Sequence, residues 1–222
     1  MGTRLQGFTT RSHSLFGQAR LIGLNVQALD AAKWGARSLV TEAREGLTQL
    51  EATLQGWQAE PAWTAQAKGL AAGWRARVDE LTTARPHQQL PYDAEVIGVV
   101  RDSAPDSPRD DIVVCAAGTL PAELHKLWRT SIPGDYHVEY GFSCMGYEIA
   151  GGLGAKLARP EREGIVMVGD GSCLMMNSEI ATAVMLGRKL IIMVLDNRGY
   201  GCIHRLQQAA GGPRFNNLLD EH

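Results

Sequence analysis

Two short polar segments, each directly after an apolar run, constrain the fold of this chain more than any other feature. Gly169-Asp170-Gly171-Ser172 follows the apolar run 164–168, and Asp196-Asn197-Arg198-Gly199-Tyr200 follows the run 190–195. A helix-like segment lies between them. A crossover of about 30 residues is the size of one right-handed βαβ unit, whose parallel strands bring their carboxyl ends to the same edge of a sheet. The sequence therefore predicts that Asp170 and Asn197 meet in space.

The residues at this edge have the chemistry of a metal site that holds a phosphate. Carboxylate and amide oxygens are hard ligands, and a glycine-rich turn offers backbone N–H donors. Asp170 cannot attract a phosphate by itself, because both groups are negative. Since Mg²⁺ binds one or two carboxylates together with ligand phosphates, a divalent ion is expected between Asp170 and the anion. Two ordinary glycine-rich turns of an α/β domain are the alternative.

Composition and charge narrow the class of partner. The chain has 222 residues, of which 45% are hydrophobic, and a formal net charge of −2. With a pI near 6.3 it carries no electrostatic signature of nucleic-acid binding. No apolar run approaches the roughly 18 residues of a transmembrane helix. We therefore expect small molecules and other protein subunits as partners, with no nucleic acid and no membrane. Four cysteines without an export signal favour a reducing cytoplasm.

The order of apolar and periodic segments predicts an α/β fold with a doubly wound parallel sheet, incomplete here. Strands are expected at 21–26, 38–40, 111–116, 136–140, 164–168 and 190–195, and most intervening segments are helical. Residues 1–50 have too few strands for a complete domain and are interpreted as the C-terminal part of a central α/β domain. Residues 51–90 are interpreted as a helical linker. Residues 91–222 are interpreted as a diphosphate-binding domain that is cut short at its C-terminal side.

The helix expected between the two polar segments has an apolar stripe. Ile180, Ala183, Val184 and Gly187 recur at helical spacing, with Glu179 near the start. This pattern favours a helix that lies on the sheet.

Other loops at the same edge offer further candidates for cofactor binding. Gly171 and Ser172 can donate N–H and hydroxyl groups to a phosphate, and Gly118 and Thr119 can do the same after the first strand of the larger sheet. A Gly-Thr turn after a strand is also common without any ligand. His204 follows the second polar segment by one helical turn. It could be an acid or base near the substrate or a solvent-facing helix residue, and the second alternative is favoured.

The spacing resembles the signature of thiamine-diphosphate-dependent enzymes. That signature has Gly-Asp-Gly, then 24 residues, here 172–195, and then a pair that ends in Asn. The resemblance implies that thiamine diphosphate is bound through Mg²⁺, with Asp170, Asn197 and the backbone carbonyl of Gly199 as metal ligands. The pair is usually Asn-Asn and is Asp196-Asn197 here, so only its second residue is carried over. Gly169 and Tyr200 are assigned to the cofactor site with them.

A second segment is similar to the loop that supports the bent cofactor in this family. Residues 141–146, Gly-Phe-Ser-Cys-Met-Gly, resemble a Gly-x-Met-Gly-like pattern. The resemblance implies that Met145 lies between the two cofactor rings and that a carbonyl near Ser143 accepts from the 4′-amino group. A core methionine beside a helix start is the alternative, since a flexible thioether fills either kind of gap.

Nearly the whole chain resembles one branch of the family, the trihydroxycyclohexane-1,2-dione hydrolases of myo-inositol catabolism. The resemblance is carried by residues 140–152, 176–187 and 195–203, and residues 1–45 are similar to the end of a flavoprotein-like central domain. It implies that a cyclic 1,2-dione is attacked at one carbonyl, that a ring C–C bond breaks, and that water releases 5-deoxy-glucuronate.

The same resemblance implies components that this chain does not supply. The activating glutamate of the family belongs to a pyrimidine-binding domain, usually of another subunit, so the catalytic residue is unknown here and the full-length enzyme is expected to be a homo-oligomer. An acetohydroxyacid-synthase-like carboligase or decarboxylase is the alternative enzyme. A cofactor-binding fragment with no activity of its own is the alternative of a different class.

Overall fold

A computed structural model describes residues 2–86, 90–103, 110–139 and 141–219. The chain divides into two compact units, Met1–Lys68 and Gly69–His222. The boundary lies inside one long helix within the segment expected to be a linker, and the assignment of segments 1–50, 51–90 and 91–222 to domains stays a prediction. Tyr140, expected to end a strand, lies outside the described residues, as do 87–89 of the linker and 220–222.

The first unit is built around a two-stranded parallel sheet. Strands β1 (Ile22–Asn25) and β2 (Arg37–Val40) pair in parallel along their whole length, which confirms the two strands expected from the apolar runs. The carboxylate of Glu42 accepts hydrogen bonds from the backbone N–H groups of Arg44 and Glu45 and so begins the following helix. The elements of this part are α1 (Gly7–Thr10), β1 (Ile22–Asn25), α2 (Ala28–Ala32), β2 (Arg37–Val40), α3 (Ala43–Thr53) and α4 (Pro61–Thr82), with 3₁₀ turns at Ser14–Phe16 and Lys33–Gly35.

The second unit holds a four-stranded parallel sheet and the helices that cover it. Its elements, after the end of α4, are α5 (Asp93–Asp102), β3 (Ile112–Cys115), α6 (Leu120–Leu127), β4 (Tyr136–Val138), α7 (Tyr147–Ala158), β5 (Gly164–Gly169), α8 (Asp170–Met175), α9 (Ser178–Met185), β6 (Ile191–Leu195) and α10 (Gly201–Ala209). The strand order is β4-β3-β5-β6, and all pairs are parallel. The predicted α/β class with a parallel sheet is confirmed.

The core lies on both faces of this sheet. Alternate side chains of β3 and β5 pack with residues of α4, α5 and α6 on one face, where Ile97, Leu124 and Leu127 are fully buried. On the other face, Ile149 of α7 packs against Val166 and Val168 of β5. Since β3 is buried along its whole length, the absence of polar alternation in its sequence is explained.

The connection between β5 and β6 differs from the expected single helix. α8 begins at Asp170 without an intervening loop, and the helical path breaks at Met176, whose φ is −137°. The next helix, α9, buries Ala183 and contacts α7, but Val184 is 74% exposed. The prediction that the whole apolar stripe lies on the sheet is therefore wrong for Val184, because α7 covers the face over β5 and α9 packs beside it.

In the described ranges, no helix combines the length and the apolar character that a membrane span requires.

Candidate cofactor and metal site

The two polar segments meet at the carboxyl edge of the four-stranded sheet. β5 ends at Gly169 and β6 at Leu195, and the register pairs these two residues. The segments that follow the two strands therefore leave the sheet at the same level. The carboxylate of Asp170 accepts a hydrogen bond from the backbone N–H of Gly199 at 2.6 Å and a longer one from that of Asn197 at 3.4 Å. The structure thus brings Asp170 and Asn197 together, as the spacing of the motifs predicts.

The loop that follows β6 has a backbone that requires glycine at position 199. Gly199 has a φ of +129°, and a Cβ added there would lie 2.5 Å from the carbonyl oxygen of Asn217. That carbonyl accepts from the N–H of Tyr200 at 2.8 Å, and the N–H of Leu219 donates to the carbonyl of Arg198 at 2.8 Å. These two hydrogen bonds therefore hold the predicted metal loop against residues 217–219.

The amide of Asn197 also helps to shape this loop. Its side-chain oxygen Oδ1 accepts from the N–H of Gly201 at 3.3 Å, at the first residue of α10. A Cβ on Gly201 would lie 2.9 Å from the same oxygen, so glycine lets the side chain fold over the helix start.

Gly171 faces the ring of Tyr200 where the two segments approach each other. A Cβ built on Gly171 would lie 2.8 and 2.9 Å from two carbons of the Tyr200 ring and 3.2 Å from the carbonyl oxygen of Gly199. The two carbon–carbon distances are shorter than ordinary carbon contacts of about 3.5–4.0 Å. Glycine at position 171 is therefore what allows the metal loop to approach α8 so closely.

The hydroxyl of Ser172 has partners within the protein. Ser172 is buried, and its Oγ donates to the carboxylate of Glu148, with distances of 2.8 and 2.9 Å to the two oxygens. The same Oγ accepts from the backbone N–H of Gly146 at 2.8 Å. The hydroxyl hydrogen, expected from the sequence to face a phosphate, thus points to Glu148. Backbone N–H groups in the first turn of a helix, such as those of Gly171 and Ser172, have no partner within the helix.

The loop that carries Ser143 and Met145 is organised by a carboxylate that the sequence interpretation missed. Glu139 accepts from the backbone N–H of Cys144 at 2.7 Å and of Phe142 at 2.9 Å, and these hydrogen bonds hold the pKa of its carboxyl below the usual value. Ser143 adopts a left-handed backbone with a φ of +55°, and Met145 is half-buried. A loop with this constrained path is suited to present a backbone carbonyl and a thioether at fixed positions.

The third loop, after β3, makes contact with α10. Gly118 is exposed with a φ of +90°, and Thr119 precedes the first residue of α6. The Oγ1 of Thr119 accepts from the guanidinium of Arg205. No local signal in the sequence indicates this pair, because its two members are 86 positions apart. The contact places a cation beside the predicted phosphate-binding turn.

His204 lies on the buried side of α10, not in solvent. It is 9% exposed, its backbone N–H donates to the carbonyl of Tyr200, and its Nδ1 has no hydrogen-bond partner within the described ranges. The favoured expectation of a solvent-facing residue is therefore wrong. Gly201 and His204 are the two buried residues of α10, three positions apart, and so they share its inward side.

Two carboxylates contribute negative charge near the start of α8. Burial and, to a smaller extent, the negative charges of Glu148 and Asp170 raise the pKa of the neighbouring Cys173 thiol. The described part of the chain has no cluster of three or more His, Cys, Asp or Glu residues that could hold a metal. The predicted metal ligands are one carboxylate, that of Asp170, and the neutral oxygens of Asn197 and Gly199. One carboxylate with neutral oxygens, completed by ligand phosphates, is a donor set that fits Mg²⁺.

Comparison with known proteins identifies the class of domain that contains this site. Residues 116–221 match the family described as thiamine pyrophosphate enzyme, C-terminal TPP binding domain. These residues include β5, β6 and all the loops described above, so the match covers the whole candidate site. The parallel sheet and the glycine-rich edge agree with this assignment.

Individual relatives give a more specific comparison than the domain family does. The 3D-(3,5/4)-trihydroxycyclohexane-1,2-dione hydrolase of Bacillus subtilis is 36% identical to this chain over an alignment of 238 positions, which covers 97% of the chain. Proteins of the same name are 37% identical over 95% of the chain in Clostridium perfringens and 36% identical over 97% in Listeria monocytogenes. The chain spans 36–37% of the length of these relatives.

Proposed function

We propose that this chain is the part of a ring-cleaving hydrolase that binds thiamine diphosphate and Mg²⁺. The observation that carries the proposal is the contact between the Asp170 carboxylate and the backbone of Asn197 and Gly199, at a sheet edge that belongs to a thiamine pyrophosphate enzyme domain. The negative charge of Asp170 next to a phosphate-binding turn is stabilising only with a cation between them.

The residues have distinct roles in this proposal. Asp170, the side chain of Asn197 and the carbonyl of Gly199 hold Mg²⁺, and the metal holds the diphosphate. Backbone N–H groups of Gly171 and Ser172 contact the phosphates, with Gly118 and Thr119 on the opposite loop. Gly169 and Tyr200 shape the floor of the site. The thioether of Met145 supports the bent cofactor, and a carbonyl near Ser143 accepts from its 4′-amino group.

The proposed substrate is trihydroxycyclohexane-1,2-dione, and the proposed product is 5-deoxy-glucuronate of inositol catabolism. The names of the relatives, together with identity across almost the whole chain, support this assignment. When bound, thiamine diphosphate supplies the nucleophilic thiazolium carbon and the electron sink for C–C cleavage. The proposal places the activating glutamate on a pyrimidine-binding domain or subunit of a cytoplasmic homo-oligomer, and the four free thiols are compatible with a reducing compartment.

Calorimetry tests the cofactor site directly. Thiamine diphosphate is titrated into the 222-residue chain with and without Mg²⁺. We expect Mg²⁺-dependent binding heat in the unchanged chain and its loss in Asp170→Ala. Glu179→Gln, which removes a carboxylate from the first turn of α9, is the matched control and is expected to bind as the unchanged chain does. Equal binding by Asp170→Ala and the control would show that the metal assignment is wrong.

The reaction is tested in a full-length relative whose corresponding segment is replaced by this chain. Consumption of the cyclic dione is measured against consumption of pyruvate. Cleavage of the dione supports the hydrolase, whereas turnover of pyruvate alone would assign the segment to a carboligase or decarboxylase. Because a thiamine enzyme needs its activating glutamate, the isolated chain is expected to bind the cofactor without turnover. Turnover by the isolated chain would contradict the proposed need for a second domain.

A further inference from the structure

Glu148 is a charged side chain in the most buried part of the site. It lies in the first turn of α7, has no exposed surface, and is the only charged residue between Tyr147 and Ala155 in a helix rich in small and apolar side chains. None of the ion pairs in the described part of the chain involves it. A buried carboxylate needs several hydrogen-bond donors to remain in the folded state.

The donors to Glu148 come from three different segments: the loop after β3, the loop before α7 and the first turn of α8. The backbone N–H of Ala117 donates to its Oε1 at 3.3 Å, and the backbone N–H of Gly146 donates to its Oε2 at 3.0 Å. The hydroxyl of Ser172 donates to the same carboxylate at 2.8 and 2.9 Å while it accepts from the N–H of Gly146. One carboxylate therefore joins the end of β3, the start of α7 and the start of α8.

Each donor is a direct chain neighbour of a predicted cofactor residue. Ala117 precedes Gly118, Gly146 follows Met145, and Ser172 follows Gly171. The backbone pairing of β3 with β5 ends at Val114 and Val166, so it stops short of Ala117 and Ser172, and Gly146 precedes a helix outside the sheet. The carboxylate of Glu148 connects these segments beneath the site.

We infer that Glu148 is a positioning residue that sets the relative placement of the three cofactor-binding loops. The inference rests on the proposed function for its link to thiamine diphosphate. It also changes the role of Ser172, whose side chain completes this network while its backbone faces the site. Glu148 does not touch the cofactor in this scheme, and its effect on binding passes through Gly118, Met145 and Gly171.

Two conservative substitutions distinguish the role of the Glu148 carboxylate from that of the Ser172 hydroxyl. Glu148→Gln keeps the volume but replaces one oxygen by an NH₂ group, which must face the N–H of Ala117 or of Gly146, donor against donor. Ser172→Ala removes the hydroxyl bridge and leaves both backbone N–H groups beside an intact carboxylate. The alanine variant therefore weakens only the contact of Gly146 with Ser172, whereas the glutamine variant places a donor against Ala117 or Gly146.

Amide hydrogen exchange of the ligand-free 222-residue chain, followed by NMR, tests the network without any cofactor. In Glu148→Gln we expect exchange at Ala117 or Gly146 to become roughly tenfold faster, as loss of one hydrogen bond implies. Ser172→Ala should accelerate Gly146 and leave Ala117 unchanged. The N–H of Ile165 in the centre of β5 reports whether the fold persists. Unchanged exchange at both Ala117 and Gly146 in Glu148→Gln would overturn the inference.

Cofactor affinity provides the second readout. Groups that orient metal or cofactor ligands typically change affinity by about 10- to 100-fold when altered, and we expect a loss in this range for Glu148→Gln. If exchange accelerates but affinity stays unchanged, the network is structural and the positioning role is refuted. If the unchanged chain binds no thiamine diphosphate, the proposed function fails, and the exchange data still decide whether Glu148 couples the three loops.

Discussion

The packing of α7 on β5 leads to a sharp prediction about two glycines in one helix. A Cβ on Gly152 would lie 2.3 Å from Cγ2 of Val166, a side chain with no exposed surface. Gly154, two positions later, has no atom within 4 Å of its added Cβ and is exposed. Alanine in a helix is favoured over glycine by about 1 kcal/mol. Overpacking of a rigid core site costs about 1–3 kcal/mol, and so close a contact belongs at the upper end.

The two effects have opposite consequences in the two variants. Gly154→Ala should raise the free energy of unfolding by about 1 kcal/mol, since only the helix propensity changes. Gly152→Ala should lower it by about 2 kcal/mol, because the gain in propensity is outweighed by the displacement of Val166. Urea unfolding of both variants, compared by midpoint and slope, measures the difference of about 3 kcal/mol. Equal stability of the two variants would refute the close approach of α7 to β5.

Two further predictions concern the site and the core. Gly171→Ala should weaken binding of Mg²⁺ and thiamine diphosphate by about 10- to 100-fold, because its Cβ displaces the Tyr200 ring and the Gly199 carbonyl; calorimetry measures this, and unchanged affinity would contradict the assigned contact. Burial raises the pKa of the Cys115 thiol to about 11, above the roughly 8.5 of an unfolded cysteine. The unfolded chain therefore loses this proton first, and stability that is complete below pH ~8.5 should fall by roughly 3 kcal/mol as the pH rises to about 11. Urea unfolding of Cys115→Ala should lack this part of the alkaline decline, and an identical pH profile would show that the thiol does not contribute.

The sequence was informative where chain direction alone determines geometry. Parallel strands joined by a right-handed crossover must present their ends at one edge, so the meeting of Asp170 with Asn197 followed from the spacing of two motifs. The strands themselves could be located because β3 and β5 are continuous apolar runs that are buried on both faces. These features depend on local pattern and on a general rule of topology.

The sequence was less informative where partners are distant along the chain. The break between α8 and α9 occurs where Met175 and Met176 pack over Gly146, and no local pattern encodes that contact. Glu148 was overlooked, although the only acidic residue of a helix rich in small side chains indicates a buried partner. His204 was assigned to solvent because periodicity does not show which side of a short terminal helix is covered.

The all-parallel sheet also has a consequence for how the protein folds. Ile112 pairs with Gly164, and Ile165 pairs with Ile191, so paired residues are far apart in the sequence. No strand of this sheet can therefore pair with its neighbour through a tight hairpin. Each pairing first requires closure of a long chain segment, which makes such sheets slow to form. The loops of the site come together only when these long-range steps are complete. A chain in which these strands are unpaired therefore lacks the assembled site, and we expect binding competence to arise late in folding.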